Sequence, residues 1–112
     1  MGRGEAVSAQ LKLLDRWHRP TLEERWRELL VTQPQIYNAF ERITLAAIRR
    51  GRRKFGAKAV WERMRWDLAD LAVDRGEGEP KLDNSLTALA AREFQRRWPE
   101  YVDVFETRER KS

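Results

Sequence analysis

Apolar residues recur at intervals of three and four along most of this chain, which is the spacing of amphipathic helices. The clearest stripe lies between residues 57 and 72, where Val60, Trp61 and Met64 fall on one face. The preceding helical segment, at about 35–50, has apolar residues on several sides, which is typical of a central helix. The pattern predicts an all-α fold: a compact bundle of five main helices and a short sixth, without a sheet.

Capping residues and prolines predict where these helices begin and end. The segment Thr21-Leu-Glu-Glu24 is a capping box, in which the threonine oxygen accepts a hydrogen bond from the amide of Glu24. Pro34 fits the first turn of a helix, and Gly51 fits the left-handed position that follows a last turn. The helices are predicted over about 9–18, from Thr21 onward, 35–50, 57–72, from Asp83 or Asn84 to Trp98, and for a short stretch after Pro99.

Residues 73–82 form the clearest predicted loop, because two glycines and a proline within five residues exclude a regular helix. This loop is either disordered or a short β-wing. Residues 8–106 are predicted to form one helical domain, with flexible ends at 1–7 and 107–112. The length of 112 residues fits one domain with a small core.

Composition excludes several classes of protein. The chain has no cysteine, so it has neither a disulfide framework nor a thiolate zinc site. Five tryptophans and a hydrophobic content of 41% argue against disorder over most of its length. No apolar run is long enough to span a bilayer, and the N-terminus lacks the apolar core of a signal peptide. We therefore expect a cytoplasmic protein that does not associate with membranes.

The net charge of +5 is concentrated in ten residues. From Arg49 to Lys58 the chain has six cations and no acid, whereas the charges of the remaining residues nearly cancel. We call residues 49–58 the basic turn, because they join the predicted helices at 35–50 and 57–72. A local positive excess of this kind is typical of an anion-binding surface, most commonly one for nucleic acid. The residues predicted to neutralise phosphate are Arg49, Arg50, Arg52, Arg53, Lys54 and Lys58.

Two helices joined by a short turn that contains glycine have the outline of a helix-turn-helix. In that arrangement the helix at 57–72 is the recognition helix, and Phe55 anchors the turn in the core. Lys58, Glu62 and Arg65 are the candidates for contact with base edges, while the turn holds phosphate. The loop that follows is acidic, which counts against a winged form of the motif. This interpretation predicts a non-catalytic nucleic-acid-binding protein, with duplex DNA as the favoured target.

Other interpretations of the same residues stay open. The basic turn also suits an acidic protein surface, so the chain is alternatively an adaptor or inhibitor of a host protein. Trp66 lies opposite the apolar stripe of its helix, and it either bridges to the C-terminal segment or is exposed and meets a partner. Arg92, Arg96 and Arg97 form a second basic group that either contacts phosphate or another partner, with Arg92 and Arg96 as the candidates, or pairs with nearby acids. A solvated surface is a further alternative, since Arg49 and Arg50 suit the end of a helix dipole.

Catalysis has no support in the sequence. His18 is the only histidine, and no serine or cysteine is placed with it as a nucleophile. One histidine without cysteine argues against a zinc site. The carboxylates stand beside arginines rather than as isolated pairs, and no phosphate-binding glycine loop follows a strand. We expect no catalytic residues, no metal and no cofactor.

A series of residues from Pro34 onward follows a recognisable order: Pro34, Tyr37, Gly51, Lys54, Val60-Trp61-Glu62, Arg65-Trp66, Lys81, Asn84, Arg92, Phe94, Pro99, Phe105 and Arg108. In this order residues 34–108 resemble a set of small, mostly uncharacterised helical proteins from phages and prophage regions. Asp83 departs from that pattern, which has another asparagine at this position. The resemblance implies a phage-related role and no enzymatic activity.

Overall fold

A computed structural model describes residues 19–78 and 82–106 of the chain. This part of the chain is helical and has no β-strand, so the predicted all-α class is confirmed. No helix within it is long and apolar enough to cross a membrane. The α-helices are α1 (Leu22–Thr32), α2 (Pro34–Arg49), α3 (Ala57–Asp74) and α4 (Thr87–Arg97), and the 3-10 helices are Asn84–Leu86 and Pro99–Tyr101.

Some of the predictions fall outside the described residues. These are the helix at 9–18, the flexible ends at 1–7 and 107–112, and the positions of His18 and Lys81. The described part therefore contains four of the five main helices that the sequence predicts. For the loop at 73–82, a short β-wing is one of the two predicted alternatives. The residues of this loop that the structure describes contain no strand.

Capping residues determine the starts of α1 and α2. The hydroxyl of Thr21 accepts a hydrogen bond from the Glu24 amide at 3.1 Å and donates one to the Glu24 carboxylate at 3.1 Å. The predicted capping box is therefore confirmed. Pro34 is the first residue of α2, where its missing N–H group leaves no helical bond unmade.

The segment between α3 and α4 differs from the prediction in where α3 ends and in the type of helix that follows Asp83. α3 continues two residues beyond the expected end and then closes on Gly76, whose φ is +70°. This conformation lets the Glu77 amide donate to the Ala72 carbonyl at 2.7 Å. The predicted fifth helix starts as a 3-10 helix capped by Asp83, whose carboxylate accepts a hydrogen bond from the Ser85 amide at 2.9 Å. Hydrogen bonds from Ser85 lower the pKa of Asp83.

Aromatic rings form the centre of the core. Trp26, Tyr37, Phe40 and Trp61 are buried where α1, α2 and α3 meet, and the ring centroids of Trp26 and Trp61 are 6.5 Å apart. The ring of Phe40 lies 6.2 Å from that of Trp61. The predicted core positions of Trp26 and Trp61 are confirmed. Burial of rings of this size supplies much of the stabilisation of a small domain.

The C-terminal segment closes the core from the side of α2 and α4. Phe105 is buried, and its ring lies 5.8 Å from the rings of Phe40 and Phe55 and 5.7 Å from that of Phe94. This one side chain therefore packs against α2, the basic turn and α4 at once. The packing of the basic turn thus depends on residues 50 positions further along the chain.

A polar network joins α4 to α2 at the edge of the core. Glu93 is buried, and its carboxylate accepts hydrogen bonds from Arg96 and, at 2.7 Å, from Arg97. The guanidinium of Arg97 also lies over the ring of Tyr37, 4.4 Å from its centroid. The indole N–H of Trp98 donates to a glutamate of α2 at 3.2 Å. The two arginines therefore neutralise the buried carboxylate of Glu93.

The pH dependence of stability tests this network. Burial by itself raises the pKa of Glu93, but the hydrogen bonds from Arg97 and Arg96 outweigh it, so the pKa lies below its ordinary value of 4.5. A pKa that is lower in the folded state stabilises the protein above the unfolded pKa, and this stabilisation is lost as the pH falls through the folded pKa. We expect Glu93→Gln to lower the free energy of unfolding by about 1 kcal/mol at pH 7, since both arginines are partly exposed.

The difference between the parent and Glu93→Gln should shrink as the pH falls from 4.5 through the lower folded pKa of Glu93, because the carboxyl group is then protonated in the folded as well as the unfolded chain. Urea unfolding curves at pH 7 and at low pH measure it. An equal difference at both pH values would contradict the charged pairing of Glu93.

Candidate nucleic-acid interface

The basic turn begins with a helix-ending motif. Gly51 has a φ of +88°, a left-handed conformation that glycine adopts without strain. Its amide donates to the Ile48 carbonyl at 2.9 Å, and the amide of Arg52 donates to the Ala47 carbonyl at 3.1 Å. These two bonds make a Schellman motif, as the position of Gly51 in the sequence predicts. They set the direction in which the chain leaves α2.

The other end of the basic turn is held by the C-terminal segment. The Phe55 amide donates to the Val104 carbonyl at 3.1 Å, and the Glu106 amide donates to the Phe55 carbonyl at 3.0 Å. Together they form an isolated parallel bridge between Phe55 and Phe105, whose rings also meet edge to face. The prediction that Phe55 anchors the turn in the core is confirmed. The cations of the turn therefore stand on a backbone that is bonded at both ends.

The six cations of the basic turn are all exposed. None of their side chains makes an ion pair or a hydrogen bond with another residue in the described part of the chain. Lys58 lies in the first turn of α3, where no side chain caps the amide groups. Uncapped amides at a helix N-terminus favour anions. The charge of the turn is thus available to an external anion.

Two acids of the C-terminal segment lie close to the basic turn. Glu100 and Asp103 line the same recess as Arg52 and Arg53, which has a volume of about 310 Å³. No ion pair forms between these acids and arginines, so the acids reduce the local potential without binding the cations. A polyanion that approaches from this side meets less positive charge.

The two residues of α3 predicted to contact bases with Lys58 pair with each other. The guanidinium of Arg65 lies 3.4 Å from a carboxylate oxygen of Glu62 and donates to the side-chain oxygen of Asn84 at 3.1 Å. Both side chains are about two-fifths exposed, at 40% and 41%. Both contacts of Arg65 use one terminal nitrogen of its guanidinium, so the other donors can reach a base edge while Glu62 and Asn84 hold the side chain in place. Lys58 has no such partner among the described residues.

The three possible partner-contacting residues have different surroundings. Trp66 is 69% exposed and makes no ring contact with the described C-terminal residues, so in this part of the chain it takes the exposed one of the two predicted alternatives. Arg96 pairs with Glu93, as one of the alternatives allowed. Arg92 is exposed and has no ion-pair partner among the described residues. The two arginines therefore do not act as one basic group.

Sequence analysis did not predict a groove that lies beside the basic turn. It runs between the C-terminal half of α2 and the first half of α3 and has a volume of about 310 Å³. Ala46, Ala47 and Ala59 line it, and their small side chains leave this space open. These alanines on two neighbouring helices are the signal in the sequence, but helical periodicity alone does not distinguish them from small core residues.

The lining of this groove combines apolar and cationic side chains. Phe55 and Val60 contribute apolar surface, and Arg50 and Arg52 contribute cations without ion-pair partners in the described part. Arg63 and the acid Asp67 also line the groove and pair with each other at 3.4 Å. The groove can therefore accept a ligand that has both an apolar part and a negative charge.

Comparison with protein-family models, with curated proteins and with solved structures gives no match to this chain. The function is therefore inferred from the site itself.

Proposed function

We propose that this protein is a non-catalytic, cytoplasmic nucleic-acid-binding protein with a role in phage or prophage biology, and that duplex DNA is its favoured target. The observation that supports the proposal best is the basic turn, with six exposed cations that have no ion-pair partner among the described residues. A polyanion gains affinity from such a surface by releasing its counterions.

The proposal treats α2, the basic turn and α3 as a helix-turn-helix-like unit. The cations of the turn contact backbone phosphates, and Lys58 adds a contact at the uncapped start of α3. Glu62 and Arg65 supply base contacts, for which Arg65 uses the guanidinium donors that do not bond Asn84 or Glu62. The bonded ends of the turn support this role, because an ordered turn loses little conformational entropy on binding.

Fluorescence anisotropy with a labelled duplex of random sequence tests the proposal. We expect saturable binding with a Kd of about 10⁻⁴ to 10⁻⁶ M at physiological salt, the range of non-specific DNA binding. No binding at protein concentrations up to about 10⁻⁴ M would contradict it.

A second candidate function is binding to an acidic host protein, as an adaptor or inhibitor. The exposed Trp66 favours it, together with Val73, which is seven residues further along α3 and is also 69% exposed. Residues separated by seven positions share a helix face. Large apolar side chains on one exposed face are typical of the centre of a protein interface.

The variant Trp66→Ala separates the two functions. Nucleic-acid binding through the basic turn predicts that DNA affinity changes by less than about twofold, since the turn keeps all its cations. Protein binding predicts that a host protein recovered with the parent binds the variant at least about 30-fold more weakly. Anisotropy and pull-down experiments with the same two proteins measure both effects.

A further inference from the structure

We propose that the groove between α2 and α3 binds an unpaired nucleobase, with the base against Phe55 and the flanking phosphates on Arg50 and Arg52. This inference rests on the proposed function and adds a contact with an unpaired base to the phosphate contacts of the basic turn. It predicts that a strand with unpaired bases binds more tightly than a backbone of equal charge that has no bases.

The shape of the groove supports one base as its occupant. Its volume of about 310 Å³ is at the lower end for small-molecule sites, which suits a single flat ring system with part of its sugar. A paired base in a duplex shows only its edges, so an apolar lining contributes affinity only when a base leaves the stack.

The chemistry of the lining supports the same occupant. Phe55 is a half-buried aromatic ring, and its backbone is bonded on both sides to the C-terminal segment. Base-to-aromatic stacking is the common way in which proteins bind unpaired bases without sequence preference. Arg50 and Arg52 lie at the same groove without ion-pair partners in the described part, and so provide the charge that a phosphate on each side of the base requires.

The test compares three probes: a single strand of twelve thymidines, an abasic strand with the same number of phosphates, and a duplex of twelve base pairs. For the parent protein we expect the thymidine strand to bind about tenfold more tightly than the abasic strand, because only the former can stack. Anisotropy at one fixed salt concentration gives the affinity for each.

Two alanine variants distinguish the groove from the surrounding charge. Ala59→Leu places a larger side chain in the groove at an exposed helix position and removes no cation. We expect it to bring the ratio of thymidine to abasic affinity close to one while duplex affinity changes by less than about twofold. Ala88→Leu, at an exposed position of α4 outside the groove, is the matched control and should keep the parent ratio. Phe55→Leu, which keeps an apolar anchor, should also lower the ratio.

The outcomes separate this inference from the proposed function. Equal binding of the thymidine and abasic strands by the parent would overturn the base-binding groove and leave nucleic-acid binding in place. No binding of any of the three probes would overturn both. An acidic peptide with aromatic side chains that displaces the thymidine strand from the parent but not from Ala59→Leu would assign the groove to a protein ligand and overturn the inference.

Discussion

Reversing two charges of the basic turn, in Arg52→Glu/Arg53→Glu, is expected to weaken binding to duplex DNA by about 60-fold or more at 0.1 M salt. Each phosphate contact that is lost forgoes the release of about 0.9 counterion, which at this salt concentration is a factor of roughly eight. Two glutamates add repulsion to that loss. Neither side chain has an ion-pair partner among the described residues, so the substitutions break no ion pair in that part of the fold.

A second double variant controls for net charge. Arg27→Glu/Arg75→Glu reverses two exposed arginines that also lack ion-pair partners in the described part of the chain. Both double variants lower the net charge from +5 to +1, because each substitution removes two units. Arg75 follows the far end of α3, about 25 Å from Lys58 along the helix axis. Equal losses of affinity in the two variants would show that net charge, and not the basic turn, binds DNA.

Phe105→Ala is expected to lower the free energy of unfolding by about 3–5 kcal/mol, the usual cost of removing a buried phenylalanine ring. The size of the effect follows from the position of the ring, which packs against Phe40, Phe55 and Phe94 at once. In a domain of ordinary stability such a change removes a large part of the free energy of unfolding. Urea unfolding followed by circular dichroism measures it.

Two further variants keep this prediction testable if Phe105→Ala does not fold. Phe105→Leu retains an apolar side chain and should cost less, about 1.5 kcal/mol. Val102→Ala, in the same segment but at a position that is 51% exposed, should change the stability by less than about 0.5 kcal/mol. Similar effects of the Phe105 and Val102 substitutions would contradict the docking of the C-terminal segment on the core.

Features of the fold that depend on local sequence were predictable. The capping box at Thr21, the proline at the start of α2 and the left-handed Gly51 each act within one helical turn, so their residue types predict the helix ends directly. The tryptophans at positions 26 and 61 follow from periodicity for the same reason.

Contacts between distant segments were not predictable from these patterns. The bridge from Phe55 to Phe105 joins residues 50 positions apart, and neither residue has a neighbour in sequence that indicates the other. The last segment shows the same limit: Val102 is exposed and Val104 is buried, because the helix after Pro99 stops at Tyr101 and the chain then turns. Helical periodicity cannot describe a stretch that leaves the helix.

The candidate site likewise has features that the sequence predicts and features that depend on tertiary structure. The local excess of positive charge over residues 49–58 predicts the cations of the basic turn, and their exposure follows from the length and hydration of arginine and lysine side chains. The pairing of Arg65 with Asn84 spans 19 residues, and the groove arises from the packing of α2 against α3. Both depend on tertiary structure, which composition and spacing do not specify.

The affinity of the parent protein for duplex DNA at salt concentrations from 50 to 200 mM tests the central claim most directly. If the six exposed cations of the basic turn contact phosphates, the logarithm of the binding constant falls with the logarithm of the salt concentration with a slope of about −5, and affinity drops by about 10³-fold over this range. An affinity that changes less than about twofold over the same range would contradict phosphate binding by the basic turn.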